Sequence, residues 1–329
     1  MKTFTRDYRI TQDFPAGYNS YFGGMRPCVL DIEATGLDPS RCKVCLIALL
    51  VQTDSGVRIT QFLAENHYEE YKVLEAAVSF LEREEIDYLI TFNGQAYDIP
   101  FVNKRLESNF SESRLDFFDF DLYRFLRRGT DLRKRIGSMS QKALEDYYGI
   151  YSDRKDIISG RESVTLFDEY SLTGNSTIEK IILTHNREDV LQLFRLMHLS
   201  LGEAEDFDRA IAIHGFPAAD GRLIMRPALS VPGKILRITG EQLRNRISAA
   251  YFPDADNPLT IQFNASSSSF EIDVPVSRHG DECFLDVQSL GIDMSGDEDL
   301  INGFLILGSG SINRVSGKIA TMIMQKYML

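Results

Sequence analysis

The sequence predicts an α/β region followed by a smaller β-rich region that ends in a helix. Three observations carry this prediction: apolar strands alternate with amphipathic helices up to about residue 202, Pro/Gly punctuation fills residues 203–233, and short β-type segments dominate from Lys234 onward. At 329 residues and 43% hydrophobic composition, the chain can bury more than one core. The reading places a first domain at 1–203, a boundary at 204–233 and a second domain at 234–329.

Cys28 to Glu33 reads as a buried strand, Val44 to Gln52 as a second, and Val57 to Leu63 as a third, with Asp54-Ser55-Gly56 turning between the last two. Residues 67–84 carry Tyr71, Leu74, Ala77, Val78 and Leu81 at helical spacing, and Tyr88 to Phe92 forms a short strand. Asn93-Gly94 ends that strand, and Tyr97 to Leu106 begins a helix. Ser138 with Gln141 matches a capping box for a helix that Gly149 would close. Residues 177–201 form a long helix that presents His185 and Asp189. In the second region, Thr260 to Phe263, Phe270 to Val276 and Cys283 to Val287 read as strands, and residues 311–328 as a helix. That region carries no motif that connects to chemistry.

Charge narrows the partners. The net charge is −12, so the surface as a whole repels nucleic acid, and any such contact must be local. One segment provides for it: Arg124, Arg127, Arg128, Arg133, Lys134 and Arg135 place six cations within twelve residues. Charge runs also occur on solvated surfaces, but this one lies between acidic motifs. The four cysteines make no disulfide framework, and Cys42-x-x-Cys45 lacks the second pair that a zinc site needs, so both read as structural thiols in a reducing compartment. The polar start and the short apolar run Cys45 to Val51, far below the ~20 residues that cross a bilayer, predict a cytoplasmic protein without a membrane partner.

Three acidic motifs follow in order: Asp31-Ile32-Glu33, then Asn93-Gly94 leading to Asp98, then His185 leading to Asp189. Strand alternation puts Asp31 and Glu33 on one face. Asp98 falls in the first turn of a helix, where a carboxylate also serves the helix dipole. His185 and Asp189, four apart, share a helical face, although an isolated pair of this kind also serves as a surface hydrogen bond. Four carboxylates crowd together only when cations bind between them. Phosphodiester hydrolysis needs an activated water, neutralised phosphoryl oxygens and a stabilised leaving alkoxide, and two divalent ions about 3.5–4 Å apart supply all three. Oxygen ligands suit Mg²⁺ or Mn²⁺.

The strings LDIEATGL, ITFNGQAYDIPF and HNREDVLQL resemble the three motifs of the DEDD superfamily of 3′–5′ exonucleases. Together with DLYRFLRR, SMSQKALEDYYGI and RKDIISGRESVTLFDEY, they look most similar to the YprB-like branch of ribonuclease H-like domains, over residues 28–200. The resemblance implies a ribonuclease H-like fold with a mixed five-stranded sheet flanked by helices. It implies that Asp31, Glu33, Asp98 and Asp189 hold two Mg²⁺ or Mn²⁺ ions, and that His185, with Glu33, performs the chemistry. An imidazole, titrating near ~6.5 in an ordinary peptide, suits general-base work. Thr35 and Leu37 match positions that contact the terminal nucleotide in similar enzymes. Asn93, Arg127, Arg128, Arg133 and Lys134 complete the expected substrate contacts. Three residues separate His185 from Asp189, the spacing of the superfamily's tyrosine-type members, which the YprB-like branch combines with histidine.

The expected function is a metal-dependent 3′–5′ exonuclease acting on single-stranded ends of DNA or RNA, with the C-terminal domain steering substrate or binding a protein partner. A catalytically silent nucleic-acid-binding or scaffold module is the competing reading, and a small-phosphoester hydrolase a third, because fold does not fix substrate.

Overall fold

The computed structural model describes residues 1–10, 13–156, 158, 160–219, 221–230, 233–244, 246–253 and 258–327. Two compact units divide the chain: Met1–Ala16 with Gly24–Glu205, and Gly17–Gly23 with Asp206–Leu329.

In chain order, the elements up to residue 200 are β1 (Lys2–Tyr8), α1 (Ala16–Phe22), β2 (Pro27–Ala34), β3 (Val44–Thr53), β4 (Gly56–Leu63), α2 (Glu70–Arg83) and β5 (Tyr88–Thr91). They continue with α3 (Asp98–Ser108), β6 (Phe118–Asp121), α4 (Leu122–Gly129), α5 (Leu132–Ile136), α6 (Gln141–Tyr147), α7 (Gly160–Thr173) and α8 (Ser176–Ser200). The first unit is built on a mixed sheet in the order β1-β4-β3-β2-β5-β6. The meander β2-β3-β4 is antiparallel, and β2-β5-β6 is parallel. The sheet has six strands where five were expected, because β1 pairs over its whole length with β4. Its polar, largely exposed sequence gives little periodic signal, and register against β4 organises it. The apolar run in β3 is buried throughout, as a strand in the middle of a sheet requires.

Strand alternation sorts β2 into two faces. Cys28, Leu30, Ile32 and Ala34 join the core with Val73, Leu74 and Ala77 of α2 and with Phe101 and Val102 of α3. Asp31 and Glu33 therefore point to the opposite face, where Asn186 of α8 meets Asp31. Glu70 at the start of α2 ties the core face together. Its carboxylate accepts from Val44 N–H at 2.8 Å and takes both arms of the Arg105 guanidinium of α3 at 2.8 Å. Helix α6 is capped by Ser140, which accepts from Ala143 N–H, rather than by Ser138 as the Ser138/Gln141 spacing implied. Ser138 instead hydrogen-bonds within the preceding turn, and Gly149 closes the helix with φ +74°.

The second unit holds α9 (Phe207–His214), β7 (Phe216–Ala218), β8 (Leu223–Leu229), β9 (Ile235–Gln242), β10 (Ala249–Tyr251), β11 (Thr260–Asn264) and β12 (Ser269–Pro275). After these come β13 (Ser277–His279), β14 (Glu282–Asp286), β15 (Leu300–Ile301), β16 (Phe304–Ile306) and α10 (Ser309–Tyr327). One antiparallel sheet runs β10-β11-β12-β9-β8-β7 and another β13-β14-β16-β15. Residues 204–233, whose punctuation marks a boundary, contribute α9, β7 and β8 to this unit. Its prolines fit because Pro217 lies on the edge strand β7, and Pro227 lies beyond the three residues of β8 that β7 covers. The four cysteines are free thiols. Among the described residues, no helix is long and apolar enough to cross a membrane.

Removing one partner of a buried ion pair leaves an uncompensated charge, at a cost of about 3–5 kcal/mol. Arg105→Ala, which strands the buried Glu70 carboxylate, should lower the urea unfolding midpoint accordingly; an unchanged midpoint would show that Glu70 is solvated after the substitution.

Candidate active site

Three elements bring the acidic motifs together. Strand β2 presents Asp31 and Glu33 on the face away from the main core, and its pairing with β3 shifts register immediately after Glu33. Such an irregularity re-aims the strand at the point where the carboxylate must leave the sheet. Asp98 opens α3, and its Oδ1 accepts from Ile32 N–H at 3.2 Å, which fixes it beside β2. The turn before it is sterically specified. Asn93 has φ +65°, and a Cβ on Gly94 would lie 2.3 Å from Thr91 Oγ1. From α8, His185 and Asp189 face the same space: ligand atoms of Glu33, His185 and Asp189 all lie within 4.8 Å of one another.

The electrostatics bear the mark of anions forced together. Burial pushes Glu33 up to about 7, with Asp189 and Asp98 adding to the rise and His185 and a hydrogen bond from Ser163 opposing it. Burial likewise pushes Asp98 up to about 7, opposed by the Ile32 and Asp98 backbone N–H groups and reinforced by Asp121 and Asp189. Asp31 is held well above the carboxylate range by burial and by the charges of Asp189, Asp98 and Glu33. A second acidic layer stands behind Asp98. Asp119 is buried and accepts from Thr91 Oγ1, while Asp121 caps α4 and accepts from Asn93 N–H. Asp119 too is raised well above its ordinary range by burial and by Asp121.

Sequence reasoning missed the groups that hold these carboxylates in place. Asn186 Nδ2 donates to Asp31 Oδ2 at 2.8 Å, and Gln61 of β4 donates to Asn186 Oδ1 at 2.9 Å. The Arg154 side chain is almost fully buried. It donates to Glu145 at 2.7 and 2.9 Å, to Asp156 Oδ1 at 2.6 Å, and to Asp189 Oδ1. Asp156 Oδ2 also lies within hydrogen-bond distance of His185 Nδ1, at 2.7 Å, and His185 Nε2 lies 3.5 Å from Glu33 Oε1 and 3.7 Å from Asp189 Oδ2. Burial opposes ionisation of Asp156, but hydrogen bonds from Arg154 and His185 hold its carboxyl below the usual range. Asn186 was legible as the neighbour of His185 in HNRED. Arg154 and Asp156, in a loop 35 residues from Asp189 and 29 from His185 respectively, carried no spacing signal.

The expected substrate contacts are dispersed. Thr35 Oγ1 accepts from Lys43 N–H and so shapes the loop, whereas Leu37 is 83% exposed. Asn93 is tied through Asp121 to the start of α4. On α4, the Arg127 guanidinium lies over the Tyr123 ring, and Arg128 has no partner among the described residues. On α5, Arg133 is likewise exposed and unpaired among the described residues, and Lys134 pairs with Asp131. The basic segment therefore begins at the acidic cluster's second layer and runs out to solvent.

A family model of the RNase H superfamily matches residues 28–200. The chain belongs to the RNase H superfamily. Its RNase H-like domain is the first unit's sheet with the helices that carry the acidic motifs, and the coarse function that membership supports is of nuclease type. The chain is also similar to a family B DNA polymerase from the hyperthermophilic archaeon Pyrobaculum calidifontis, with 17% identity and a TM-score of 0.42. The match covers 69% of this chain and 32% of the polymerase, so the chain spans about a third of that protein's length. No curated protein matches the sequence.

The RNase H-like site fits divalent cations on its donor chemistry. Oxygen donors converge with one imidazole, no thiolate takes part, and the carboxylates repel one another without a cation. The pH dependence follows from the raised values of Glu33 and Asp98. The folded state binds protons that the unfolded state has already released, so without metal the protein loses stability as pH rises from ~5 to ~8. Divalent ions favour the ionised carboxylates and should stabilise most at the alkaline end. Thermal melts in chelator and in Mn²⁺ across that range check both signs. Equal Mn²⁺ shifts at all pH values would show that these carboxylates do not meet the ion.

Proposed function

We propose that the protein is a divalent-metal-dependent 3′–5′ exonuclease acting on single-stranded nucleic acid ends, nearest in kind to the YprB-like branch of the DEDD exonucleases. The observation that carries this reading is the convergence of Glu33, His185 and Asp189 within 4.8 Å, with Asp31 and Asp98 in the same field. Mg²⁺ or Mn²⁺, when bound as a pair, supplies charge neutralisation at the phosphoryl and leaving oxygens. Asp31, Glu33, Asp98 and Asp189 would hold the ions. Asp189 can do so with Arg154 in place, because Arg154 engages Oδ1 while Oδ2 faces His185. His185 takes a proton at Nε2 from the attacking water. Asn186 keeps Asp31 oriented through its 2.8 Å hydrogen bond. In this reading Thr35, Leu37 and Asn93 would contact the terminal nucleotide, and Arg127, Arg128, Arg133 and Lys134 would take the backbone phosphates. The second unit, of β-rich build, steers substrate or binds a protein partner.

One observation favours a second reading. Arg154 already places a cation against Asp189, as it would in a silent nucleic-acid-binding module that uses arginine in place of metal. End-labelled single-stranded DNA, duplex DNA and RNA, each with Mn²⁺ or with chelator, separate the two: the exonuclease shortens labelled strands only with metal, and the silent module binds without shortening them.

Asp98→Asn and Asp189→Asn should each abolish metal-dependent degradation while leaving a folded protein, since each removes a charge from a shared ion pair. Wild-type digestion by either variant would sink the site. The basic segment makes a separate prediction about binding. Replacing Arg127, Arg128, Arg133 and Lys134 with Gln should flatten the salt dependence of single-strand binding by ~0.7 in log–log slope per lost phosphate contact, with kcat unchanged. An unaltered slope would return these side chains to the solvated surface.

A further inference from the structure

We infer that Asp156 is the positioning residue for His185, fixing which ring nitrogen faces the carboxylate cluster; this rests on the nuclease reading above. Asp156 Oδ2 lies 2.7 Å from His185 Nδ1, and both side chains are nearly inaccessible, at 2% and 4%. A neutral imidazole has one donor nitrogen and one acceptor. An ionised carboxylate can only accept, so it assigns the proton to Nδ1 and leaves the Nε2 lone pair free. That nitrogen is the one facing Glu33 and Asp189, at 3.5 and 3.7 Å.

Asp156 must itself be ionised and immobile for this to work, and its surroundings provide both. Arg154 Nε donates to Asp156 Oδ1 at 2.6 Å and Nη2 to Oδ2 at 3.2 Å, and the same guanidinium is pinned by Glu145 of α6. Lys142 Nζ adds a further positive charge 3.7 Å from Oδ2. In the hydrolytic step the water oxygen bonds to phosphorus as the bond to the leaving 3′-oxygen breaks; the water's proton passes to Nε2, Nδ1 keeps its own, the leaving alkoxide takes a proton from solvent, and the positive ring that results is stabilised by the Asp156 carboxylate. A partner needed only to neutralise Arg154 would not have to sit in line with His185 Nδ1. Glu145 already neutralises that cation through two contacts.

Kinetics and NMR test this together on the full chain. Asp156→Ala should lower kcat about 10- to 100-fold with KM unchanged, in the range that loss of an orienting partner costs. In a His185→Ala background, Asp156→Ala should cost nothing further, because it acts only through the ring. Two-bond ¹H–¹⁵N spectra of the metal-free protein at alkaline pH, with His185 assigned by its loss in His185→Ala, should show the Nδ1–H tautomer in wild type and a shift to Nε2–H in Asp156→Ala. Asp156→Leu, which keeps most of the side-chain volume and offers no acceptor, supplies the same comparisons where the alanine variant unfolds. Full additivity of the two substitutions, or a tautomer unmoved by either Asp156 variant, overturns the assignment. Absence of turnover in wild type would remove the nuclease reading, while the tautomer result would still decide the Asp156–His185 pairing.

Discussion

Mutual repulsion among Asp31, Glu33, Asp98 and Asp189 is the constraint to which the rest of the RNase H-like domain answers. Carboxylates taken out of water and set against one another resist ionisation, as the upward displacement of Glu33, Asp98 and Asp31 shows. The protein offsets this with directed partners at each anion: Ile32 N–H on Asp98, Asn186 on Asp31, Ser163 on Glu33 and Arg154 on Asp189. None of these saturates its carboxylate, so each keeps capacity for a cation.

The sheet topology makes such crowding possible. The meander β2-β3-β4 gives β2 a buried, rigid partner in β3, while β5 and β6 run parallel to β2. The turn after β5 then delivers Asp98 beside Asp31 and Glu33. Helix α8 packs against β2, β3 and β4 and brings His185 and Asp189 to the same place. The core on the other face, with the Glu70–Arg105 pair linking α2 to α3, supplies the rigidity that lets a strained polar cluster persist.

A loop completes the site. Arg154 and Asp156 serve two ends of one network: the guanidinium holds Asp189 and Asp156, and Asp156 holds His185. Because Arg154 also reaches Glu145, the position of α6 is coupled to that of Asp189 on α8. The acidic cluster therefore has a cation of its own in Arg154.

The sequence by itself determined the elements that carry local signals. Period two in β2 put Asp31 and Glu33 on one face, the Asn93-Gly94 turn placed Asp98 at a helix start, and four-residue spacing put His185 and Asp189 on one side of α8. Each of these depends on residues within a few positions of one another. Tertiary structure alone decided what depends on distant neighbours. Register against β4 made β1 a sixth strand, and competition between Ser138 and Ser140 moved a cap by two residues. Edge placement made Pro217 and Pro227 compatible with strands. The pairing of Asp156 with His185 spans 29 residues and begins in a loop without periodicity, where no spacing rule relates the partners and only packing brings them into hydrogen-bond range.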